Sequence, residues 1–140
     1  MKLKGSSAII TGGGRGIGRA IACLFASEGA SVVIVSRTRA EVVETVAEIA
    51  AAGGAALGMP GDVTDRAHVK RVVEETVASF GAVDILVNDA GVQGPIGAFM
   101  DMDFDDCKAN FEVNLFGTAS FCRAALPGMA DRRRGKIINL

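Results

Sequence analysis

Three features of the sequence predict an α/β fold built on a doubly wound parallel sheet. Short apolar runs alternate with stretches of helical periodicity along the 140 residues. The runs are continuous and rich in Val and Ile, as in strands buried on both faces. A glycine-rich turn joins the first run to the first helical stretch, and right-handed crossovers between such units generate a doubly wound sheet. The length fits one domain over residues 1–140.

Ala8-Ile9-Ile10 is the first strand and ends at Thr11-Gly12. Residues 17–28 then follow a helical period, with Ile17, Ile21, Leu24 and Phe25 on the expected inner face and Gly29 as the stop. Val32 to Val35 form the second strand. Thr38-Arg39-Ala40-Glu41 reads as a capping box, opening a helix with Val42, Val46, Ile49 and Ala50 inward and Gly53-Gly54 at its end. Residues 55–59 make a weak third strand. Thr64 is the expected cap of a third helix carrying Val69, Val72, Val73, Val77 and Phe80, stopped at Gly81. Ile85-Leu86-Val87 is the fourth strand. One long helix is expected over 103–129, with Phe104, Cys107, Phe111, Leu115, Ala119, Cys122, Leu126 and Met129 at steps of three and four. Residues 137–140 form the fifth strand.

Composition narrows the function. The chain is 49% hydrophobic and 22% charged, which disfavours disorder. Residues 1–40 hold six Lys/Arg against one acid, and the remainder nine against fifteen. A basic front end on an otherwise acidic chain suits a small anionic ligand, not nucleic acid. Arg132-Arg133-Arg134 sits in a turn and reads as solvated. Cys23, Cys107 and Cys122 have no ligand spacing and read as thiols of a reducing compartment; no metal is expected. His68, among charged neighbours, is expected at the surface. No run is long enough to span a membrane and the N-terminus lacks signal-peptide anatomy, so a cytoplasmic protein is expected.

The turn Thr11-Gly12-Gly13-Gly14-Arg15-Gly16-Ile17-Gly18 joins strand to helix where such sheets take phosphate groups. A P-loop would need Lys-Ser/Thr where Arg19-Ala20 stand. A methyltransferase would need an acid after the second strand, where Ser36-Arg37 stand. Ile17 occupies the third glycine position of the dinucleotide fingerprint Gly-x-Gly-x-x-Gly. Thr11, Gly12, Gly16 and Gly18 do fit Thr-Gly-x3-Gly-x-Gly. With Asp62-Val63 after the third strand, Asn88-Asp89-Ala90-Gly91 after the fourth, Asn114 in Val113-Asn114-Leu115-Phe116-Gly117, and Gly135-Lys136-Ile137-Ile138-Asn139, the chain resembles the short-chain dehydrogenase/reductase family.

That resemblance implies strands one to five of a Rossmann-like sheet. It implies a cofactor site of Thr11, Gly12, Gly14, Arg15, Gly16, Ile17, Gly18, Ser36, Arg37, Asp62, Val63, Asn88, Ala90 and Gly91, with Asn114 matching the family's catalytic Asn. An acid ends strand two when NAD is preferred; Ser36, followed by Arg37 and near Arg15, implies NADP(H), because a guanidinium matches phosphate oxygens. A mid-helix Asn114 bonding only locally is the alternative for that residue, and the role of Asp89 stays open. The implied reaction is hydride transfer between the nicotinamide and a carbonyl or alcohol substrate, in a homo-oligomer formed through the 103–129 helix. The chain has no Tyr, and the resemblance places the family's Ser and Tyr-x3-Lys beyond Leu140. Residues 1–140 are therefore expected to be an incomplete, cofactor-binding part, inactive alone. The alternative is a catalytically silent dinucleotide-binding module or a truncated gene product.

Overall fold

A computed structural model describes residues 1–140. The strands are β1 (Ser7–Thr11), β2 (Ser31–Val35), β3 (Ala55–Gly58), β4 (Ile85–Asn88) and β5 (Lys136–Asn139). Between them lie helices α1 (Gly16–Ser27), α2 (Arg39–Ala51) and α3 (Arg66–Phe80), and α4 (Phe104–Phe111) runs through a π-helical segment (Glu112–Gly117) into α5 (Thr118–Asp131). All pairings are parallel, in the order β3-β2-β1-β4-β5. The chain builds outward from β1 through β2 to β3, then returns to the other side for β4 and β5. The reversal lies between β1 and β4, so a crevice opens beyond their carboxyl ends.

Each sheet face has its own core. Ala8, Ile10, Val32, Ile34, Ile85 and Val87 face α1 and α2, whereas Ile9, Val33, Val35 and Leu86 face α3 and α5. This division explains the unbroken apolar runs: side chains alternate between faces, and both faces are covered. Asp84, just before β4, ties the sheet's other end together. It accepts from the Ser7 amide (3.1 Å) and from Arg132 Nη1 (2.8 Å). Arg132 is therefore anchored, not merely solvated.

Several elements differ from their sequence reading. The inner face of α1 is Gly18, Ala22 and Ala26, while Ile17 and Leu24 are exposed. Close approach of α1 to the sheet selects its smallest residues. Ala50 of α2 is likewise exposed, and Thr38 sits at the N-cap without a side-chain cap bond. Asp65, not Thr64, caps α3, accepting from the Ala67 and His68 amides. His68 is buried, because the first turn of α3 packs on the loop after β3. The long helix exists but changes winding at Glu112–Gly117. Its buried positions are Gly117, Phe121, Ala125 and Met129, while Phe104, Phe111, Leu115 and Leu126 of the expected stripe are exposed.

Candidate cofactor-binding site

The crevice is built first from Thr11. Its buried hydroxyl oxygen accepts from the amides of Asp89 (3.1 Å) and Ala90 (3.0 Å), locking the end of β1 to the turn after β4. Gly12 follows at φ +71°, and a Cβ there would stand 2.9 Å from the Ala90 nitrogen. A Cβ on Gly18 would meet the Gly12 carbonyl oxygen and stand 2.7 Å from Asp89 Oδ2. Both positions need glycine because the loop is pressed against the β4 turn and α1 against the loop. Arg15 is the extended N-cap residue of α1, with no side-chain cap bond. The first amides of the helix thus open on the crevice, a site suited to an anion.

The crevice holds about 250 Å³. Gly12, Arg15, Gly16 and Ile17 line one side, Ser36 and Arg37 the end of β2, Asp62 and Val63 the loop after β3, and Ala90 and Gly91 the turn after β4. Ten of the expected residues are thereby brought together. Gly14 supports them from behind: a Cβ there would lie 3.1 Å from the Ser36 Cβ and 2.9 Å from that of Glu41. Arg15 and Arg37 make no ion pair, unlike Arg19, which Glu44 and Glu48 engage. Two free guanidinia and a helix terminus whose N-cap residue makes no side-chain cap bond fit a ligand with several phosphate groups. Asp62 also caps a turn, accepting from the Thr64 amide and hydroxyl, both at 2.9 Å.

Thr11, Gly18 and Asn88 act beneath the lining. Asn88 is buried and donates to Asn139 Oδ1 at 2.9 Å, joining β4 to β5. Asn114 does not bond merely within its helix. Its Oδ1 accepts from the Val92 amide and its Nδ2 donates to the Val92 carbonyl, both at 2.8 Å. Asn110 donates to the same carbonyl at 3.0 Å and accepts from Asn114 Nδ2. The two asparagines clamp the segment after β4 to the long helix.

Val35, Gly61, Val92 and Val113 line the crevice as well, and none was among the site residues expected from the sequence. Val35 alone had a usable signal, as the last residue of a strand whose carboxyl end faces the switch point. Asp89 also lines it. Burial pushes the Asp89 carboxyl above the usual carboxylate range, against the pull of the Gly18 amide.

A doubly wound parallel sheet with a glycine loop at its switch point defines the class of nucleotide-binding α/β proteins. Within that class, the family described as short chain dehydrogenase matches residues 6–140. A short chain dehydrogenase of Pseudocercospora fijiensis is 40% identical over 141 residues, covering 99% of this chain and 45% of the relative. The 3-oxoacyl-acyl-carrier-protein reductase FabG of Thermotoga maritima is 35% identical over 147 residues, covering 100% of this chain and 56% of the relative. The ketoacyl reductase HetN of a Nostoc species is 33% identical over 138 residues, covering 99% and 48%. The chain belongs to the short-chain dehydrogenase/reductase family, whose members are oxidoreductases that bind a nicotinamide cofactor. It spans about half the length of these relatives. No helix is long and apolar enough to cross a membrane.

Proposed function

We propose that this chain forms the NADP(H)-binding part of an oxidoreductase that interconverts a carbonyl and an alcohol. The observation that carries the cofactor choice is the end of β2. Ser36 and Arg37 stand at the crevice beside Arg15, with no acid at the ribose position. An acid there would repel a 2′-phosphate, whereas Ser36 can donate to one and both guanidinia can pair with it. When bound, the cofactor supplies or accepts the hydride. The α1 terminus and the glycine loop hold its phosphates, Asp62 and Val63 lie at the adenine end, and Ala90, Gly91 and Val92 form the opposite wall. Asn114 positions that wall by holding Val92. These 140 residues contain no Tyr, so the family's tyrosine proton donor is not among them.

Calorimetric titration of NADPH and NADH tests this reading. NADPH is expected to bind more tightly by roughly ten- to a hundredfold, the worth of a charge-assisted phosphate contact. Replacing Ser36 with Asp and Arg37 with Ala should reverse the preference; equal affinities in the parent contradict it. A polypeptide of these 140 residues should bind NADPH yet show no carbonyl-dependent NADPH oxidation. The catalytically silent module remains the second reading, because the residues shown offer cofactor contacts and no proton donor of the family's kind. Turnover of a carbonyl or alcohol substrate by a protein that contains these residues would eliminate it.

The exposed Phe104, Phe111, Leu115 and Leu126 of the long helix support self-association through that face. A compartment is proposed from composition alone: a cytoplasmic one.

A further inference from the structure

We infer that Asp89 makes cofactor binding proton-linked: its carboxylate and the cofactor's pyrophosphate compete for the N-terminal field of α1, and binding is accompanied by proton uptake at Asp89. The inference rests on the cofactor reading above and adds to it a residue that tunes affinity.

The geometry is specific. Asp89 Oδ2 stands 3.0 Å from the Cβ position of Gly12 and 2.7 Å from that of Gly18, so the carboxyl is wedged between the loop and the first turn of α1. Its backbone is held there by Thr11, whose hydroxyl oxygen accepts from the Asp89 amide at 3.1 Å. It also lines the crevice that the glycine loop opens. A helix N-terminus attracts an anion within its first turn. Here an acidic side chain already occupies that turn from below, and a pyrophosphate would approach it from the crevice.

No cation neutralises Asp89. The charged groups sharing its crevice are Arg15 from the glycine loop, Arg37 from the end of β2 and Asp62 from the loop after β3. None forms an ion pair with it. Against it, β1 presents Thr11, and across the crevice the π-helical segment presents Val113, both uncharged. Arg19, one turn along α1, is taken by Glu44 and Glu48. Burial already disfavours the Asp89 carboxylate in the free chain, and added phosphate charge disfavours it further. A proton from solvent on one carboxyl oxygen removes the repulsion and creates a donor. Binding therefore raises the Asp89 pKa. Affinity falls as pH rises through the window between the free and bound values, and levels off above it.

The test is calorimetry of NADP+ binding to the full chain and to Asp89→Asn, in buffers of different ionisation enthalpy across the acid to neutral range. The 2′-phosphate titrates by itself near about pH 6, so the difference between the two proteins is the quantity read. The parent should take up more protons, the excess approaching on the order of one at its maximum. Asp89→Asn should bind about tenfold more tightly above the window. Equal uptake by both proteins overturns the inference. If Asp89→Asn does not fold, a carbon NMR titration of the Asp89 carboxyl in the parent decides. Its midpoint should move upward with NADP+, and an unmoved midpoint overturns the inference. Absence of NADP+ binding at every pH sinks the cofactor reading itself, whereas binding without linkage sinks only this one.

Discussion

A methyl group on Gly18 would meet the Gly12 carbonyl oxygen and the Asp89 carboxyl. The obstacle includes backbone, which cannot rotate away. Gly18→Ala should cost about 1–3 kcal/mol and weaken NADPH binding, read by urea denaturation and by titration. His68 carries a different prediction. It is buried, with Nε2 unpartnered and Gly61 packed against its ring. Burial, with the Arg71 field, holds its pKa below the ordinary value. The unfolded chain therefore binds more protons than the folded one as pH falls below about 6.5. Stability should be full above that value, decline as pH falls through it, and level off below the folded pKa. His68→Leu should remove that decline, measured by thermal melts against pH. A parent protein without the decline would mean that His68 protonates freely in the fold. These residue-scale features were poorly legible in the sequence. Gly18 was readable as part of a pattern, but not the carboxyl beside it. His68 was misplaced because Arg66, Lys70 and Arg71 suggested a solvated turn, whereas a three-dimensional contact with Gly61 buries it.

Elements were more legible, and their failures have local causes. The strands were readable from apolar runs, most clearly β1, β2 and β4, which are covered on both faces and have no polar alternation to obscure them, whereas β3 and β5 are only partly covered. Helix phases were less readable. The apolar count on α1 favoured Ile17 and Leu24, yet close packing at the loop selects Gly18, Ala22 and Ala26. In the long helix, an apolar stripe of unbroken α period missed the π-helical segment and, Met129 apart, the inward set of Gly117, Phe121 and Ala125. The clamp on Val92 spans 22 residues in sequence and leaves no periodic trace. Asn114→Ala should release it. Two hydrogen bonds worth about 1 kcal/mol each net predict faster hydrogen exchange at the Val92 amide, by roughly thirtyfold. Unchanged exchange would show that Asn110 alone holds the segment. At α3, Asp65→Ala should remove a cap worth about 1 kcal/mol, seen as a lower denaturation midpoint, while Thr64→Ala should leave the α3 cap intact.

At the scale of the molecule, the strand order places β1 and β4 side by side, and their carboxyl ends carry Thr11 and the Asn88–Gly91 turn. The expected site lay at the ends of strands one to four, and the fold brings those ends to one crevice. This much was legible because doubly wound topology fixes where ligands bind, independent of side-chain detail. The exposed apolar residues of the long helix bear on assembly. Light scattering after size-exclusion chromatography should show a mass above that of one chain, and Phe111→Glu with Leu115→Glu should lower it. A concentration-independent monomer of the parent would refute self-association through that face. The measurement closest to the central claim is a titration of NADP+ into the isotopically labelled protein, followed amide by amide by NMR. Shifts should concentrate at Gly12 to Gly18, Ser36, Arg37, Asp62, Val63 and Ala90 to Val92. Unshifted amides in those segments, or shifts gathered instead around Lys2, Arg134 and Lys136 at the opposite end of the sheet, would contradict it.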